Sequence, residues 1–104
     1  MVRTVKLSSP GWPGATVAVA ASFTDRLLGI RAAGRHGVLL RTRSVHSFGL
    51  RRTLSLIATD ESGIVIETRK MMPNRIAVFP GASIVIELPA ASTMPEVGSL
   101  VIFE

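Results

Sequence analysis

The stretch Ser44-Val45-His46-Ser47-Phe48-Gly49-Leu50 sets an imidazole between two hydroxyls and beside an aromatic ring, in a chain with only two histidines and four phenylalanines. A serine activated by a neighbouring histidine is the core of a nucleophilic site, because the imidazole takes the hydroxyl proton as attack begins. Strand geometry limits that reading. Residues one apart point to opposite faces, so Ser47 turns away from His46 and only Ser44 shares its face. The Gly-x-Ser-x-Gly elbow that would present a nucleophile on a strand-to-helix turn is missing. Alternation groups His46 with Phe48 and Leu50, and Val45 with Ser47 and Gly49. The expectation is that the first group faces the core, with the imidazole bonded to a backbone carbonyl or to Glu87. Continued alternation would bury Arg52 between Leu50 and Leu54, so a bend or bulge is expected there.

Other chemistries find less support. The two histidines, His36 and His46, have no acid between them, and the chain has no cysteine, so metal-ligand spacing is absent and no metal is expected. The same lack removes disulfides, thiolate nucleophiles and cysteine-ligated clusters. Gly11-Trp12-Pro13-Gly14 and Pro80-Gly81-Ala82-Ser83 lack the Lys-Ser/Thr of a phosphate cradle and read as plain turns. No cofactor is called for by any motif.

Charge is the second clue. From Arg26 to Arg52 there are seven arginines (26, 31, 35, 41, 43, 51, 52) and no acid, while the rest of the chain holds five basic and seven acidic residues, so the net charge of +5 arises in one quarter of the molecule. Guanidinium groups suit bidentate recognition of carboxylate or phosphate. Arg41 and Arg43 on one side and Arg51 and Arg52 on the other bracket the His46 stretch, where they could gather an anion or simply keep strand edges soluble. Aromatic residues interleaved with the charge, as single-strand binders use them, are lacking apart from Phe48, so specific nucleic-acid recognition is not expected.

The elements that must carry these residues are mostly strands. A chain of 104 residues with 47% hydrophobic content fits one domain over 1–104. Ser22 as cap, Asp25 three residues later and Gly34 as a stop predict one short helix at about 23–33, with Gly29 a weak point inside it. After Gly37 short Val-, Ile- and Leu-rich runs alternate with turn residues. LSLIAT and IVIETRKM flank Asp60–Gly63 as a hairpin, RIAVF and SIVIEL flank Pro80-Gly81-Ala82, and SLVIFE ends the chain. With KLSS and ATVAVAA this makes eight or nine strands and no βαβ alternation. The fold class expected is mainly β, a compact antiparallel sandwich or a flattened barrel. The N-terminal PGWPG interrupts anything resembling a signal segment, and no run approaches the length of a membrane span, so a cytoplasmic location is expected.

The order FTDRLLGIR (23–31), GVLL (37–40), VHSFGLR (45–51), DESGIV (60–65), IELPA (86–90) and VGSLV (97–101) resembles the small prokaryotic family called domain of unknown function 192. The resemblance covers 15–104. It implies a compact jelly-roll-like β fold with one helix and no established activity. Arg26, Gly29, His46, Phe48, Arg51, Gly63 and Glu87 fit the family pattern. Leu50 stands where the family has Met, Ala91 where it has Gly, and Ser55 and Ser99 where it has acids, so two carboxylates of the pattern are missing.

Three readings follow. The first is a non-catalytic binding or protein-interaction module with an Arg-rich face, taking a protein partner or a small anionic ligand through His46, Arg51, Glu87, Arg26, Arg41 and Arg43. The second is an electrostatic binder of polyanions or nucleic acid. The third is an enzyme on a small polar substrate that uses His46 and Glu87, which requires the two to meet in a pocket.

Overall fold

The computed structural model describes residues 3–20 and 37–104. The helix expected at 23–33 lies outside them. Nine strands are present: β1 (Thr4–Ser9), β2 (Trp12–Ala20), β3 (Gly37–Leu40), β4 (Ser44–His46), β5 (Leu54–Thr59), β6 (Val65–Met71), β7 (Ile76–Val78), β8 (Ile84–Pro89) and β9 (Ile102–Phe103). Seven form one sheet in the order β6-β5-β8-β3-β2-β1-β9, and β4 and β7 form a separate pair. The large sheet curls into a half-barrel, so the mainly β architecture expected from the strand runs is the one observed. Its two ends approach each other near the Asp60 turn, where Val101 N–H donates to Gly63 O, Val65 N–H to Ser99 O and Gly98 N–H to Val65 O.

Two local expectations change. The sheet is mixed, because β2 and β3 run parallel with Val17 beside Gly37 and Ala20 beside Leu40. Parallel neighbours cannot be joined by a tight hairpin turn, and counting hairpins along the sequence leads to an all-antiparallel sheet. The N-terminal turn is Pro10-Gly11, and Trp12, Pro13 and Gly14 belong to β2 rather than to a loop. Trp12 is buried and its indole N–H donates to Thr93 O at 2.9 Å.

Alternation along the central strands divides the apolar residues between two cores. Leu7, Val17, Leu39, Ile57, Ile86 and Leu88 line the inside of the curl. Leu54, Leu56, Ala58 and Val85 point the other way and pack with Val45, Ala77 and Phe79 beneath the β4–β7 pair. A strand buried on both faces reads as a continuous apolar run, which is why LSLIAT and IVIEL carry so little polar character. Phe79 is fully buried, and the guanidinium of Arg69 lies over its ring at 4.7 Å while pairing with Glu67.

Turn chemistry works as the sequence suggests. Asp60 Oδ1 accepts from the N–H groups of Ser62 and Ile64, and Gly63 closes the turn at φ +91°, a backbone state that L side chains rarely adopt. Gly37 serves another need. Its φ is ordinary, but a Cβ there would lie 2.2 Å from Glu87 O and 2.5 Å from a Leu88 methyl, so β3 can approach β8 this closely only without a side chain.

Candidate functional site

His46 is the last residue of β4 and pairs in register with Ile76, as Val45 does with Ala77 and Ser44 with Val78. Cross-strand partners share a face. Val45 and Ala77 are buried in the core beneath the pair, so Ser44, His46, Ile76 and Val78 are on the outward face. The expectation that His46 and Phe48 face the core is therefore overturned: Val45 and Ser47 are the buried residues, and Phe48 is 51% exposed. Only Leu50 of that group packs against the core.

The reversal has a physical cause in Ser47. Its hydroxyl donates to Met72 O at 2.7 Å and accepts from Arg75 N–H at 2.8 Å, while its own N–H donates to Arg75 O. Its carbonyl accepts from the N–H groups of Leu50 and Asn74. A buried serine so fully bonded fixes the strand end and the turn together, and it has no proton to give in nucleophilic attack. The chain then leaves strand geometry. The bend expected near Arg52 is a turn and loop over 47–53 that carries both Arg51 and Arg52 on the surface.

Turning back at Gly49 brings Phe48 against His46. The two rings stack with centroids 5.0 Å apart and planes 24° from parallel, and Phe48 N–H donates to His46 Nδ1 at 3.3 Å. An accepting Nδ1 places the proton of the neutral ring on Nε2. Asn74, at φ +59°, accepts from Gly49 N–H at 3.3 Å and holds the turn from the other side.

The outcome is an apolar surface around an imidazole. Ile76 is 64% exposed and Val78 52%, and Met72, tied to Ser47 through its carbonyl, adds another exposed apolar side chain at this end. Arg43 leads into β4 and its carbonyl accepts from Phe79 N–H, Arg75 leads into β7, and Arg51 and Arg52 follow the turn, all four exposed. Among the described residues none of these four guanidinium groups is in an ion pair.

The remaining sequence candidates separate. Glu87 is 1% exposed at the centre of β8, between Val38 and Leu56, on the sheet face opposite the inner core, and it is partnered there. His46, also partnered, sits on the other sheet, facing outward. Arg41 extends β3 at the opposite surface, by the mouth of the curl, and Arg26 lies outside the described residues. Among the described residues no group of three or more His, Asp or Glu side chains is placed to hold a metal ion. No helix among them is long and apolar enough to cross a membrane. Ile76, Val78 and Met72 escaped sequence reading because each looks like one more strand residue. The signal that could have found them is the Asn74 turn, which starts a strand of only three residues after it.

Scanned against protein-family models, curated proteins and solved structures, the chain matches none of them.

Proposed function

We propose that this chain is a non-catalytic interaction domain of the cytoplasm, a divergent relative of the domain family whose motif order it resembles, and that it docks an acidic segment with apolar anchors from a partner protein on the outer face of β4 and β7. The observation that carries this reading is the exposure of Phe48, Ile76 and Val78, each more than half open to solvent. Grouped exposed apolar side chains rimmed by polar ones mark interaction surfaces. Aromatic and arginine residues are the types that interfaces favour and from which hot spots are drawn. Arg43, Arg51, Arg52 and Arg75 supply a rim of one sign, and a rim of one sign selects a partner of the other. Phe48 is already held by the His46 ring, so little side-chain freedom is lost when it is covered.

The catalytic reading gains nothing from this arrangement, because His46 and Glu87 lie on different sheets and the neighbouring Ser47 hydroxyl is committed to backbone groups. Selection of a random displayed peptide library on the immobilised full chain tests the proposal. The enriched peptides should combine Asp or Glu with large apolar residues, and Phe48→Ser should weaken their binding about tenfold or more. The melting temperature should hold, since Phe48 is exposed. An enriched pool without that signature, or one whose binding survives Phe48→Ser and Ile76→Ser, contradicts the proposal. Tighter binding of a mixed-sequence oligonucleotide at physiological salt would favour the polyanion reading in its place.

A further inference from the structure

We infer that the mouth of the half-barrel is a binding site for a small apolar monocarboxylate. A cavity of about 300 Å³ opens there, at the lower end of the range that small-molecule sites occupy. Its walls are Val5, Val19, Leu39, Ile84 and Phe103, contributed by five different strands. At its rim stand Arg3, Arg41 and Glu61.

Strand alternation explains how two arginines come to face an apolar hole. Leu7, Val5 and Arg3 are successive residues on one face of β1 and its lead-in, and Leu7 belongs to the inner core. Arg3 is bonded into the sheet beside Val19, whose N–H donates to Arg3 O at 2.7 Å. Leu39 of β3 and Arg41, just past the end of that strand, line the cavity in the same way, with Leu39 in the inner core. Both arginines therefore occupy the last inward-facing position before the mouth, where a barrel that only needed filling would carry an apolar side chain. Neither is in an ion pair among the described residues.

The chemistry of the rim narrows the ligand. Guanidinium groups over apolar walls favour a carboxylate, which accepts paired N–H donors in one plane. Glu61, on the Asp60 turn at the rim, opposes a second negative charge, so a monoanion is preferred over a dianion. The five apolar walls require a compact hydrocarbon body. This site shares no residue with the outer face of β4 and β7, so either assignment can fail alone.

The test is a titration of isotope-labelled full chain with benzoate, with benzamide and isophthalate as the neutral and doubly charged comparisons, followed by amide and methyl resonances. Benzoate should bind with Kd on the order of 1 mM or tighter and shift Val19, Leu39, Ile84 and Phe103, with isophthalate and benzamide each weaker. Arg3→Gln and Arg41→Gln should each weaken benzoate binding about tenfold. Both arginines are exposed, so the variants should keep the wild-type spectrum elsewhere. Three results would overturn the inference: no shift of the cavity residues, equal binding of benzamide, or benzoate binding that survives the double substitution.

Discussion

Ser47 shows at the scale of one residue why the most specific-looking stretch of the chain is structural at one position and surface-forming at its neighbours. Its hydroxyl satisfies Met72 O and Arg75 N–H in a fully buried setting. Ser47→Ala leaves both backbone groups without that partner and should cost about 1–3 kcal/mol in a denaturant melt. Phe48→Ala should stay within about 0.5 kcal/mol, as exposed positions usually do. Equal effects at the two sites would mean that the turn is held otherwise. The importance of residues 44–50 was legible from the rarity of histidine and phenylalanine. The direction of the side chains was not, because β4 keeps strand geometry for only three residues and its register is set by β7, thirty residues later in the chain.

At the scale of elements, the two tight turns and the strands around them could be read directly, since Asp60–Gly63 and Pro80-Gly81 carry their instructions locally. The meeting of β3 with β2 and β8 could not, because it depends on a parallel pairing and on how closely two backbones approach. Gly37 is the residue on which that approach rests. Gly37→Ala would drive a Cβ into Glu87 O, and since that atom is backbone it cannot swing aside. The expected cost is about 1–3 kcal/mol, read as a lowered midpoint of chemical unfolding. An unchanged midpoint would show that β3 and β8 can separate without penalty.

At the scale of the whole molecule, composition announced an Arg-rich quarter but not its division. Folding sends Arg41 to the mouth of the half-barrel and Arg43, Arg51 and Arg52 to the rim of the β4–β7 face, two surfaces that a linear charge count merges. Arg3 and Glu61 join the first surface from distant parts of the sequence, which only the curl of the sheet brings together. Positive charge beside exposed apolar side chains makes association of the chain with an acidic segment depend on both terms. Added salt should weaken it without abolishing it.

The most direct measurement of the central claim follows the amide resonances of labelled full chain as an acidic, apolar-anchored peptide from the library selection is added. The docking account predicts shifts concentrated at residues 43–50 and 72–78, growing to saturation and lost in Phe48→Ser. Shifts confined to the barrel mouth or to the far edge at β9, with 43–50 and 72–78 unmoved, would contradict it.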